Sequence, residues 1–225
     1  MIQAVIFDMY ETLVTQFSSP LYYGTQIAGD LGLTPEEFLP GWRATEEARA
    51  TGKMTFEEAI ELQLRSHGIF SGELFQQVVQ KRLSIQSDCF SRLHPEILPM
   101  LSALKDRDLK IGLISNCFSE EAVLIRESPL FPYFDAPCLS YEVGIRKPDP
   151  AIFQYCLEQL RIPAENCLYV GDGERQELEA ARAAGMRPIQ AVWYRREEFG
   201  SHMAAIRPEI SQADHPMQLL ELLGR

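Results

Sequence analysis

The sequence predicts an α/β protein: a parallel sheet with helices on both faces, interrupted after its first strand by an all-helical lobe. Three observations carry that expectation. From His94 onward, short apolar runs rich in β-branched residues alternate with longer stretches at helical spacing, the rhythm of parallel strands joined by crossover helices. Residues 2–7 form a run of the same strand-like kind but stand alone, far upstream. Between the two, from about Ser18 to Phe90, the pattern is helical throughout.

The elements follow in order. IQAVIF, residues 2–7, suits a strand buried on both faces, and Asp8 follows at once. In the helical stretch, Pro20, Pro35, Pro40, Gly52, Gly68 and Gly72 punctuate the chain. Thr34 before Pro35 with Glu37 has the form of a capped helix start; so does Thr55 with Glu58, and Ser71 with Leu74 is a further candidate. Three or four helices are expected there. Downstream, the pattern predicts a helix over 95–107, a strand over 110–114, a helix from about 120 and a short strand near 138–139. A helix over 150–160, a strand over 167–170, a helix over 174–184, a strand over 188–192 and a closing helix over 217–223 complete it. The expected division is a Rossmann-like core of residues 1–16 and 92–225 with an α-helical cap of residues 17–91. Trp193, Tyr194 and the charged run 195–198 read as surface.

Composition narrows the function classes. The chain has 225 residues, 21 Lys plus Arg against 32 Asp plus Glu, and a formal net charge of −11. With no basic run, that charge argues against nucleic acid or an anionic membrane surface as partner. No stretch approaches the roughly 18 apolar residues of a spanning helix. Cysteines at 89, 117, 138, 156 and 167 form no CxxC pair, and the four histidines have no metal-ligand spacing. The sequence opens directly on MIQAVIF, without a charged leader, so a reduced, cytoplasmic protein is expected. Either a monomer or a homodimer is compatible with this.

Ligands of open parallel sheets bind beyond the carboxyl ends of the strands. There the sequence places Asp8, Tyr10, Glu11 and Thr12 after the first strand, then Ser115 and Asn116, then Ser140 and Lys147, then Asp172 and Glu177. One Asp at a strand end also serves as a helix cap, and Ser115 alone also reads as one. Four strand ends delivering Asp, Ser, Lys and Asp to one rim form a set able to bind a divalent cation and a phosphoryl group and to supply a nucleophile.

Four segments, in this order, resemble the motifs of the haloacid dehalogenase (HAD) superfamily: FDMYETL (7–13), ISN (114–116), RKPDPAIF (146–153) and VGDGERQELEAARAAGM (170–186). The helical insert resembles that family's α-helical cap. The resemblance implies a hydrolase acting through a covalent aspartyl intermediate at Asp8. It implies an anion site at Ser115 and Asn116, and a point charge at Lys147 that fixes the nucleophile. It also implies Mg²⁺ held by Asp8, the Tyr10 carbonyl oxygen and Asp172, with Glu177 as a direct or water-mediated ligand. The substrate is then a small, anionic molecule.

Two departures leave alternatives open. Phosphatases of the family usually carry an aspartate two residues after the nucleophile as general acid and base, and Tyr10 stands there. The 2-haloacid dehalogenases have tyrosine at that place, and halide leaves without a proton. They also have a cap arginine beside a tryptophan, which Trp42–Arg43 resembles, so Arg43 is a candidate for the substrate's anionic group. Against that, the dehalogenases need no metal and lack the acidic pair kept here as Asp172 and Glu177, and they have tyrosine where Phe153 stands. The expected activity is a Mg²⁺-dependent phosphatase of small phosphate monoesters. The alternatives are a metal-independent 2-haloacid dehalogenase and a non-catalytic binding protein of the same fold. Glu11 is expected to point away from the site on an extended backbone. Thr12 is expected to hydrogen-bond the turn that presents Asp8. Tyr22, Tyr23 and Trp42 are candidate aromatic walls, with packing inside the cap as the alternative.

Overall fold

The computed structural model describes residues 1–196 and 203–223, and in it six strands form a sheet in the order β3-β2-β1-β4-β5-β6. They are β1 (Ala4–Phe7), β2 (Lys110–Ser115), β3 (Ala136–Leu139), β4 (Cys167–Gly171), β5 (Arg187–Ala191) and β6 (Ser211–Ala213), and each pairs in parallel with its neighbours. β1 lies at the centre, bonded to β2 on one side and β4 on the other, and all of its residues are buried. Burial on both faces is why it reads as an unbroken apolar run. Its side chains still alternate: Val5 and Phe7 belong to one apolar layer, Ala4 and Ile6 to the other. The first layer is completed by α6 (Ile97–Lys105) and α7 (Ser119–Glu127), the second by α9 (Pro150–Leu160) and α10 (Glu177–Ala183). Each such Val, Ile, Leu or Phe contributes about 1.5–3 kcal/mol on burial.

Between β1 and β2 stands the cap: α1 (Gly24–Asp30), α2 (Pro35–Ala44), α3 (Glu46–Ala50), α4 (Phe56–Ser66) and α5 (Gly72–Ser91). The expected starts are present. Thr34 Oγ1 accepts from the Glu37 N–H while the Glu37 carboxylate accepts from the Thr34 N–H, and Thr55 with Glu58 does the same. Ser71 accepts from the Leu74 N–H. Each cap of this kind is worth about 1 kcal/mol. The helix count exceeds the expectation because α2 and α3 are separated at Thr45, whose hydroxyl donates to the Trp42 carbonyl. Tyr22, Phe38, Trp42, Phe56, Ile60 and Leu64 form a core of the cap's own.

Four expectations need correction. Residues 174–184 are not one helix: a 3₁₀ turn, Glu174–Gln176, precedes α10, and Arg175 and Gln176 hold φ of 51° and 62°. The closing segment is a 3₁₀ turn, Pro216–Gln218, followed by the short α11 (Leu219–Leu222). β6 was not expected; its sequence, SQA, is too short and polar to show a strand period. Trp193 and Tyr194 are not surface residues: both are half-buried and hydrogen-bonded to the loop after β1, as described below. In the charged run, 197 and 198 lie outside the described residues. The remaining helix is α8 (Ser140–Val143).

Candidate active site

A cavity of about 410 Å³ lies between the carboxyl edge of the sheet and the cap, lined from both sides. Asp8 enters it directly from β1, its N–H still bonded to the Val170 carbonyl at 2.8 Å. The chain then turns instead of staying extended. Glu11 holds φ of 55°, and the Leu13 and Val14 N–H groups both donate to the Met9 carbonyl. The Glu11 carboxylate accepts from Thr15 Oγ1 at 2.6 Å and from the Gln16 N–H at 2.8 Å, so it clamps the loop. Glu11 thus lines the cavity, against the expectation that it points away, because the backbone turns there; its carboxylate is held by Thr15 and Gln16. From the other end of the chain, Trp193 Nε1 donates to the Thr12 carbonyl at 2.8 Å and the Tyr194 hydroxyl to the Leu13 carbonyl at 3.2 Å. The Thr12 hydroxyl does not hydrogen-bond the turn as expected. It is buried without a hydrogen-bond partner among the described residues, and the turn is held instead through Thr12's carbonyl, which accepts from the indole.

Lys147 is the hub. Its Nζ donates to Asp8 Oδ1 at 2.5 Å, to Glu177 Oε2 at 2.5 Å and to the Tyr169 hydroxyl at 3.1 Å. The Tyr169 hydroxyl in turn donates to Glu177 Oε2 at 2.8 Å, and the Gly173 N–H to Glu177 Oε1 at 3.1 Å. Glycine at 171 makes room for that carboxylate, since a Cβ there would lie 2.1 Å from Glu177 Oε1. The lysine is held at the backbone too. Asn116 Nδ2 donates to the Lys147 carbonyl at 3.0 Å, and the Lys147 N–H donates to Asn116 Oδ1 at 2.7 Å. Asn116's side chain is thus engaged as a clamp on Lys147 through one donor and its oxygen, and its backbone N–H is a further donor for an anion. Ser140 clamps the next residue, its Oγ accepting from the Cys117 N–H at 3.0 Å.

One ligand atom each from Asp8, Asp172 and Glu177 lies within 4.8 Å of the others, a candidate cation centre. Burial, then Glu177's charge, pushes the Asp8 carboxyl up to about 7. The same two causes, joined by Asp8's charge, push Asp172 well above the usual carboxylate range. Lys147 is pushed the other way from what burial alone would do, raised by Asp8 and Glu177. When ionised together, two buried carboxylates and the half-buried Asp172 beside one ammonium hold two negative charges in excess, which one divalent cation balances. The donor set, hard oxygens with a lysine beside them, suits Mg²⁺ chemistry.

The other expected residues fall as follows. Ser115 Oγ, at the end of β2, is fully buried and has no hydrogen-bond partner among the described residues. Tyr10 lines the cavity, but its hydroxyl is buried and unpartnered in the same sense, and burial with Glu121 nearby raises it well above 10. A phenol so placed does not ionise near neutral pH. Arg43 lines the cavity with an exposed side chain. Tyr22 and Trp42 belong to the cap core and also line the cavity, and Tyr23 lines it while 39% exposed.

Sequence reasoning missed Arg49, buried at 3% exposure and lining the cavity, as well as Tyr169 and the pair Trp193 and Tyr194. Nothing local marks Arg49, which sits in a polar stretch, TEEARATGK. The one signal for Tyr169 is a hydroxyl inside an otherwise apolar strand, CLYVG.

Among the described residues, no helix is long and apolar enough to cross a membrane. The cap and sheet of a HAD phosphatase from Thermococcus onnurineus superpose with a TM-score of 0.68 at 18% identity, covering 99% of this chain and 98% of that one. A 2-haloacid dehalogenase from Pseudomonas syringae gives 0.69 at 23% identity, covering 100% and 99%. The near-equal scores show the fold and do not separate the two activities. Phosphoserine phosphatase of Thermus thermophilus is 31% identical over 134 residues, 58% of this chain and 48% of that protein. The first curated relatives are matched over about half of their length or less. A family model described as haloacid dehalogenase-like hydrolase matches residues 2–185, and with the motifs, sheet order and cap in place the chain belongs to the haloacid dehalogenase-like hydrolases.

Proposed function

We propose that the protein is a Mg²⁺-dependent hydrolase of small phosphate monoesters, acting through an aspartyl-phosphate at Asp8. The observation that carries this reading is the Asp8–Asp172–Glu177 cluster, with Lys147 bonded to Asp8 and Glu177, whose excess charge calls for a divalent cation. Several relatives bear phosphatase names, among them a phosphoserine and a phosphoglycolate phosphatase.

Asp8 is aimed by three constraints: the β1 ladder behind it, the lysine on Oδ1, and the clamped loop in front. With Oδ1 held, its other oxygen attacks phosphorus in line. The bond from phosphorus to the ester oxygen breaks and the leaving group departs as the alkoxide or aryloxide, taking any proton from solvent; water then attacks phosphorus, releasing phosphate and restoring the Asp8 carboxylate. Asp8 and Asp172 would hold the cation, with Glu177, whose oxygens already accept from Lys147, Tyr169 and Gly173, supporting from behind. When bound, the cation neutralises charge on the transferring group. Ser115 Oγ, buried and unpartnered, donates to a phosphoryl oxygen, beside the Asn116 backbone N–H. Lys147 keeps Asp8 oriented and offsets charge. No carboxylate occupies position 10 to protonate the leaving oxygen, which can cost about 10²–10⁴ in rate on esters with poor leaving groups.

Phosphate release from p-nitrophenyl phosphate tests this, since nitrophenolate leaves without a proton. Turnover is expected with Mg²⁺ and not with EDTA, and not in Asp8→Asn. No turnover under any of these conditions refutes the reading. Tyr10 favours a second reading, metal-independent hydrolysis of 2-haloacids, in which the leaving halide needs no acid. Chloride release from 2-chloropropionate in EDTA would select it.

A further inference from the structure

The cavity presents several cations besides Lys147, and all but two are spoken for. Arg82 of α5 donates to Glu120 at 3.0 Å, to Glu121 at 2.7 Å and to the Tyr22 carbonyl at 3.0 Å. Arg146 and Arg175 share Glu46. Arg43 is exposed to solvent. Arg49 is different.

The Arg49 guanidinium carbon packs on two rings, 3.8 Å from the Trp42 centroid and 4.4 Å from the Phe118 centroid. Trp42 belongs to the cap and Phe118 to the turn between β2 and α7, so these contacts span the cavity's two walls. With two rings packed on it and 3% of the residue exposed, a partner reaches the guanidinium through its free N–H groups on the cavity side. Nε donates to Thr45 Oγ1 at 3.0 Å and Nη2 to the Trp42 carbonyl at 3.4 Å, both neutral oxygens. That uses two of the five N–H donors of a guanidinium and leaves three. No carboxylate stands at ion-pair distance from it among the described residues. The nearest influences, Glu120 and Glu46, are each bonded to another arginine. Burial lowers Arg49 to about 10, so it stays charged at neutral pH with its charge incompletely compensated. A planar fork of free N–H donors fits a planar carboxylate.

We propose that Arg49 is a specificity-determining residue that binds a carboxylate on the substrate, making the preferred substrates small phosphate monoesters that also carry a carboxylate. This rests on the phosphatase reading, with phosphate at Asp8 and carboxylate at Arg49. Because Arg49 draws Trp42 and Phe118 together, the second anion also ties cap to core while the phosphoryl group is in place.

The test compares ω-phosphonooxy-alkanoates of about two to four carbons with n-alkyl phosphates of the same length, in Mg²⁺. For at least one length, wild-type kcat/KM should favour the carboxylate-bearing ester by about tenfold or more, the effect of one charge-assisted contact. Arg49→Met should reduce that ratio to near one, mostly through KM, and Arg49→Lys should retain part of it. General damage to the enzyme cancels in the ratio. A wild-type ratio near one at every length overturns the proposal without recourse to any variant, as does a ratio that survives in Arg49→Met. If neither ester nor p-nitrophenyl phosphate is turned over, it is the phosphatase reading that has failed. Calorimetric binding of 3-phosphonopropanoate then decides the site: about tenfold weaker binding in Arg49→Met supports it, and equal affinity or no binding to wild type refutes it.

Discussion

Removing or supplying a divalent cation should change the stability of this protein in a manner that depends on pH, and the structure fixes the sign. Without a cation, burial and Glu177 raise Asp8 from its ordinary 3.8 to about 7. The folded state therefore binds more protons than the unfolded chain between about pH 4 and pH 7, and this group's contribution to stability falls as pH rises through that window. By pH 8 the loss for Asp8 is about 4 kcal/mol, at about 1.36 kcal/mol per tenfold change. A cation that stabilises the ionised cluster returns up to that amount. For a chain of this size, about 2–4 °C per kcal/mol converts it to a rise in Tm of at most about 8–16 °C at saturating Mg²⁺. At pH 5 the folded Asp8 is protonated and the corresponding loss is only about 1.6 kcal/mol, so the rise should shrink to at most about 3–6 °C. The assay is thermal unfolding at pH 5 and pH 8, with Mg²⁺ and with EDTA, and Asp172→Asn as the variant that should lose the effect. Equal Mg²⁺-induced shifts at the two pH values, or a full shift in Asp172→Asn, would refute the electrostatic reasoning.

Three further outcomes are expected. Arg82→Met should destabilise by about 3–5 kcal/mol by leaving Glu120 and Glu121 buried without their partner, and adding Glu120→Gln and Glu121→Gln should recover much of it in denaturant unfolding. Trp193→Phe removes the bond to the Thr12 carbonyl and should cost about 0.5–1.5 kcal/mol in the same assay, together with a fall in kcat as the loop carrying Asp8 loosens. Tyr10→Phe deletes a buried hydroxyl without a protein partner, so its Tm should stay level or rise by a degree or two, read by calorimetry.

What the sequence disclosed and what it hid divide along a physical line. Strand ends were legible because a doubly buried strand is written as a short apolar run, and the polar residue that ends it is the one at the rim. Asp8, Ser115 and Asp172 were found that way, and Lys147 through the RKPDP segment. Capped helix starts at Thr34 and Thr55 were legible because the caps are local. Orientation within the cap was not. The stretch WRATEEARA reads as one polar helix in which Arg43, next to the tryptophan, is the natural choice. The break at Thr45 carries Arg49 inward, while Arg43 faces solvent. The backbone just before Glu177 was equally hidden, since two consecutive non-glycine residues with positive φ have no sequence signature. Long-range polar contacts such as Trp193 to Thr12 lie beyond any window of periodicity.

The tie between Trp193 or Tyr194 and the loop after β1 spans 181 residues of sequence, nearly the whole chain. During synthesis β1 leaves the ribosome first, yet both of its neighbours, β2 and β4, and the two side chains that pin its loop come much later. Asp8 is therefore the first residue of the candidate site to be made and among the last to be set in place. A chain ending before residue 193 would lack both side chains that pin the loop after Asp8, so the order of that loop reports whether the segment carrying Trp193 and Tyr194 has docked.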